Sequence, residues 1–120
     1  MTQYTSLTLV PALEWGTPSG TYTGNNVYVG DAVPAANYYA GQGYIQTFLY
    51  NVANFDGTIT VEATLQDIPE TAAWFVVNAS GNVGNTVTQI TSNSVIGNFS
   101  WLRARVDFTA GNVNSVTASY

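Results

Sequence analysis

Residues Thr58–Leu65 alternate without a break: Ile59, Val61, Ala63 and Leu65 fall on one side of an extended chain, Thr58, Thr60, Glu62 and Thr64 on the other. A period of two sends successive side chains to opposite faces, so such a segment buries its apolar side only as part of a sheet. The same period recurs in Thr5–Val10, Val27–Val29, Tyr44–Tyr50, Trp74–Val77, Thr86–Thr91, Phe99–Phe108 and Val113–Ser119. Each run is rich in β-branched and aromatic residues, and helical spacing is hard to find. Asp56-Gly57, Ser80-Gly81-Asn82, Gly97-Asn98 and Ala110-Gly111-Asn112 tolerate positive φ and predict turns between the runs. Pro69 removes a ladder donor and ends the strand before it, leaving room for one helical turn around Glu70–Ala73. The expected fold is therefore all-β: an antiparallel, jelly-roll-like β-sandwich of about eight short strands with little or no helix.

A length of 120 residues suits one such domain, spanning 1–120. Residues 11–43 stand apart, with six Gly and three Pro around Trp15, Tyr22, Tyr28, Tyr38 and Tyr39. Two readings fit them. They form long sandwich loops around a strand at 27–29, or an extended arm that orders against neighbouring subunits. The arm reading makes Trp15, Tyr22, Tyr28, Tyr38, Tyr39, Tyr44 and Trp101 candidate interface residues, since tyrosines on a pliable backbone give broad, partly polar contact area.

Composition narrows the chemistry. The chain has no Cys, no His and no Lys. Disulfides, thiolate nucleophiles, a neutral-pH imidazole base, Schiff-base chemistry and a P-loop lysine are all excluded. Only 8% of residues are charged, and sixteen Thr, eight Ser and twelve Asn supply the polarity instead. The net charge of −5 opposes nucleic-acid binding. No run approaches the roughly 18 apolar residues of a membrane span. Residues 1–6 lack a basic, apolar leader, which predicts cytoplasmic synthesis and folding without secretion.

Few residues remain as candidates. Arg103 and Arg105 are the only cations and share one face of the Phe99–Phe108 strand with Phe99 and Trp101. Guanidinium forks could receive a carboxylate or phosphate ligand, but the stronger reading is a structural cross-strand pair of Glu62 with Arg103 or Arg105. The second non-polar face of that strand is covered by loops, by another subunit, or by a ligand. Among the carboxylates, Asp56, Glu62, Asp67 and Glu70 lie nearest in sequence, yet they form no calcium loop or glycosidase motif. No catalytic, metal or cofactor residue is expected. Trp15, Trp74, Trp101 and the Tyr38–Tyr39 pair could stack on sugar rings, and a row of aromatics flanked by carboxylates would favour that use. The sequons at Asn78 and Asn98 carry no information at this Asn, Ser and Thr content.

Two segments point to a family. They are Phe55–Leu65 with Trp74–Val77, and Ile96–Val106, which holds Gly97-Asn-Phe-Ser-Trp-Leu-Arg103, with Gly111–Val116. Together they resemble small β-sandwich virion proteins of tailed marine and cyanobacterial phages, over about 65 residues of the C-terminal half. The resemblance implies a non-enzymatic virion structural protein assembled in the host cytoplasm. Capsid decoration or cement is the first expectation, with the major capsid protein as partner and a homo-oligomeric state. The alternatives are a tail, neck or fibre component contacting tail proteins and host glycans, or a free carbohydrate-binding module. No residue role carries over from the family.

Overall fold

In the computed structural model, which describes residues 6–20, 22–35, 45–66, 68–97 and 99–119, the chain forms seven strands. Four are short: β1 (Ser6–Val10), β2 (Leu13–Glu14), β3 (Val27–Val29) and β4 (Val33–Pro34). Three are long: β5 (Ile45–Thr64), β6 (Phe75–Ile96) and β7 (Trp101–Ser119). Every pairing is antiparallel. β5 lies between β6 and β7, and β1 to β4 line up one after another along the other edge of β7. The only helical element among the described residues is one 3₁₀ turn, Pro69–Thr71.

The long strands cannot be straight. Twenty residues of extended chain span about 66 Å at roughly 3.3 Å each, whereas the longest dimension of the molecule is 39 Å. The three bend together. Register slips between Val52 and Gly57 on β5, opposite Asn82–Val87 on β6 and Phe108–Val113 on β7. Extra unpaired residues of this kind kink a strand and raise its twist. The sheet thus doubles over along one line, and its two halves face each other as the layers of the expected sandwich. The ends of β5 meet as a result: the Gln46 amide donates to Gly97 O at 3.2 Å, and Ser100 N donates to Thr64 O at 2.9 Å, three residues further on.

The bend leaves the expected sandwich in place and changes only where its strands break. The expected breaks at Asp56-Gly57, Ser80-Gly81-Asn82 and Ala110-Gly111-Asn112 are corners inside continuous strands rather than hairpin turns. At the corner Asn54 adopts φ +50° and Gly111 φ +90°, and Asp56 Oδ1 accepts a hydrogen bond from Gly84 N at 2.9 Å. Turn chemistry and corner chemistry need the same residues, because both require positive φ or an unobstructed backbone.

The core fills the space between the halves. Phe48, Tyr50, Phe55, Ile59 and Val61 of β5 meet Leu102, Val106, Phe108, Val113 and Val116 of β7, all buried. Of the residues expected in the core, Leu65 is the exception; it lies beyond the end of β5 and is exposed. Residues 11–35 also belong to this body. β2, β3 and β4 pair with β7, and Tyr22 and Tyr28 are 2% and 8% exposed. The arm expectation is corrected over this stretch: both tyrosines sit in the chain's own core and are not free for a partner. Residues 36–44, with Tyr38, Tyr39 and Tyr44, lie outside the described residues.

Towards β6 the interior becomes polar. The Tyr50 hydroxyl donates to Asn78 Oδ1, joining the two layers, and Ser80 Oγ lies 3.5 Å from Thr91 Oγ1. Burial pushes the Tyr50 pKa well above the usual tyrosine value. The folded chain therefore keeps this proton when the unfolded chain releases it, near pH 10 by roughly the model-peptide value. Above that pH the unfolded state binds fewer protons, so stability falls as pH rises. Urea unfolding on either side of about pH 10 is expected to show a smaller alkaline loss in Tyr50→Phe than in the wild type. An equal loss would mean that Tyr50 titrates alike in both states.

Candidate functional site

On the outer face of one layer, β7 presents Trp101, Arg103, Arg105 and Asp107 at alternate positions. The partners opposite them on β5 are Thr64, Glu62, Thr60 and Thr58. Glu62 and Arg103 are thus direct cross-strand neighbours, and Arg103 Nε donates to Glu62 Oε1 at 2.7 Å. Both side chains are half-buried. Arg105 does not reach Glu62 for an ion pair; it pairs with Asp107 two residues along the same strand, at 3.0 Å, in an exposed position. Asp107 raises the Arg105 pKa further, by hydrogen bonding and by charge.

The chain between β5 and β6 returns over this face. Pro69 sets the 3₁₀ turn, Ala73 N donates to Gln66 Oε1 at 2.6 Å, and Trp74 Nε1 donates to Pro69 O at 3.3 Å. These bonds hold the Trp74 indole in place, and the Arg103 guanidinium lies 4.3 Å from its centroid. A cation over an indole face at this range is stabilised by about 0.5–2 kcal/mol, more as water is removed. Arg103 is therefore fixed between a carboxylate and an aromatic ring. Opposite Trp74, the Gly30–Ala32 link between β3 and β4 forms a second wall.

Between these walls lies a cleft of about 470 Å³, lined by Trp74, Trp101, Arg103, Glu70, Asp31 and the neighbouring Gly30, Ala32 and Pro69. The second non-polar face of the β7 strand is thus partly covered by the chain's own loops and partly open at this cleft. Two indoles, one fixed guanidinium and three nearby carboxylates share this place. Glu62 is already held by Arg103, so it orients that side chain rather than standing free as an acid or base.

The other candidates lie elsewhere. Trp15 is 42% exposed, donates to Asn26 Oδ1 and sits at the corner beside Gly111. Asp56 serves the corner, and Asp67 lies outside the described residues. No group of three His, Cys, Asp or Glu among the described residues is arranged to hold a metal ion. No described helix is long and apolar enough to cross a membrane. Asp31 was not legible as a site residue. Its only sequence signal is the Gly30-Asp31 pair, which reads as an ordinary turn.

Fold and cleft together define an antiparallel β-sandwich with an aromatic, partly acidic surface site. No family model and no curated protein matches the chain. Among solved structures it is similar to CBM29_1, a family 29 carbohydrate-binding module from Piromyces equi. The two are 14% identical with a TM-score of 0.46, over 98% of this chain and 91% of that one. Likeness at that level bears on neither ligand nor activity.

Proposed function

We propose that the protein is a non-catalytic carbohydrate-binding protein whose cleft between Trp74, Trp101 and Arg103 takes a neutral sugar chain. The observation that carries this reading is the meeting of two indoles in one open cleft with Arg103, which Glu62 holds from beside it by an ion pair. A pyranose ring offers an apolar C–H face and a rim of hydroxyls. Indole surface matches the first, and carboxylate acceptors and guanidinium donors match the second. Glu62 and Trp74 hold Arg103 in place before any ligand arrives, which lowers the entropy lost on binding. Asp31, Glu62 and Glu70 outnumber the single cation, so an anionic glycan is disfavoured.

Affinity electrophoresis through gels containing neutral glucans, mannans or xylans tests the proposal. At least one should retard the wild type, and Trp101→Ala should weaken binding by about tenfold or more, that is, roughly 1.4 kcal/mol. Trp15→Ala, which removes an exposed indole outside the cleft, should leave retardation unchanged. Equal effects of the two substitutions, or no retardation in any gel, would sink the reading.

A structural role in a phage particle is the second reading. It is supported by the sequence resemblance and by an unprotected sheet edge, taken up next. The two readings are compatible in a tail or fibre component that touches host glycans.

A further inference from the structure

β6 ends the sheet. It pairs with β5 along one edge, and among the described residues no strand pairs with the other. A free edge carries unpaired N–H and C=O groups that template another strand, and monomeric proteins guard such edges with lysines, prolines or a covering element. The 22 residues of β6 contain no Asp, Glu, Lys, Arg or Pro. Its Thr88–Ile96 half also presents apolar side chains on the outer face. Ile90 and Ile96 are 65% and 73% exposed, beside exposed Leu49 and Ile45 on β5. In the other half, Val76 is the large exposed side chain on that face among the described residues.

Charge indicates which occupant fits. The protein carries a net −5, and all seven carboxylates lie outside β6. Two copies repel each other where acidic surfaces meet, and along β6 they do not. The sequence here is also self-complementary under a two-fold axis. With Asn93 on the axis, Ile90 stands opposite the partner's Ile96, Ser92 opposite the partner's Ser94, and Ile96 opposite the partner's Ile90. These residues share the outer face, so the apolar patch of one copy continues into the other.

We propose that Ile90–Ile96 of β6 is a self-association strand, through which two copies join antiparallel into one continuous sheet. The dimer is closed, because the two-fold contact uses the same β6 segment of both copies and leaves β1, the opposite edge of this layer, out of it. The cleft at Trp101 lies on the other layer and stays open in both copies.

Sedimentation equilibrium tests the proposal directly. The wild type should run as a dimer at micromolar concentration, and Ile90→Lys/Ile96→Lys as a folded monomer, because like charges then oppose each other across the axis. Mixing that variant with Ile90→Glu/Ile96→Glu should restore the dimer mass. Asn93→Cys gives an independent measure in a chain without cysteine. Directly opposed antiparallel residues have Cα atoms about 4.5–5.5 Å apart, within disulfide reach. This variant should oxidise to a linked dimer much faster than the exposed control Thr109→Cys. A monomeric wild type, an assembly larger than a dimer, a dimer indifferent to the lysines, or equal oxidation of the two cysteine variants would each overturn the proposal.

Discussion

Gly111→Ala is expected to destabilise the fold severely, although the substitution adds a single methyl group. Gly111 holds φ +90° where the sheet doubles over, and an added Cβ would run into the Asn54 carbonyl oxygen and come within 2.8 Å of that of Ala53. Both obstacles are backbone atoms of the adjacent central strand, so no side-chain rotation relieves them. The two strands must part at the corner, and the layers that meet there lose their packing. Strain and separation together should cost about 4 kcal/mol or more, a large share of the roughly 5–15 kcal/mol that stabilises a typical domain. Gly84→Ala is the matched control. It has nearly the same φ, +94°, on the same bend, with nothing within 4 Å of the added carbon. It should cost only about 1 kcal/mol of backbone strain. Denaturant midpoints read the difference; similar values for the two variants would mean that the corner yields and Gly111 is not its hinge.

Tyr22→Ala is expected to destabilise the isolated chain by about 3–5 kcal/mol, the usual cost of removing a buried aromatic side chain. The Tyr22 ring packs on Phe108 and edge-on against Tyr28, with centroids 5.8 and 6.1 Å away. Its hydroxyl donates to Asn25 O and accepts from Gly16 N. One side chain thus ties the 14–30 region both to itself and to the core. Tyr22→Phe keeps the ring and loses the hydroxyl, and should cost about 1 kcal/mol. If Tyr22→Ala left the urea midpoint of the free protein unchanged, residues 11–35 would again read as an arm awaiting a partner.

These two substitutions mark where sequence and structure diverge. Glycine at position 111 was legible as a turn residue, because Gly beside Asn112 in a strand-rich segment tolerates the positive φ that a turn needs. Whether the chain reverses there or merely bends was not legible, since the same residues serve both. Tyr22 looked like contact area because it lies in a Gly- and Pro-rich stretch without periodicity. Nothing local says that its ring reaches Phe108, more than eighty residues away in sequence. The Glu62–Arg103 pair was within reach, because both positions lie on polar faces of well-defined strands and only the register was open. Trp74 was a recognisable aromatic, but its place over Arg103 depends on how the loop after Pro69 returns across the sheet.

By itself the sequence determined the all-β character, the antiparallel layers, the apolar face of each strand and the near absence of helix. Those follow from period-two patterning and local backbone preference, which act between neighbours a few residues apart. Only the tertiary structure decided that predicted pairs of short strands are single bent ones, that 11–35 closes the edge of β7, and that the cleft joins Asp31, Glu70, Trp74 and Arg103. The physical reason is that bends, edges and clefts depend on which distant strands pair, and pairing register is fixed by burial summed over the whole sheet.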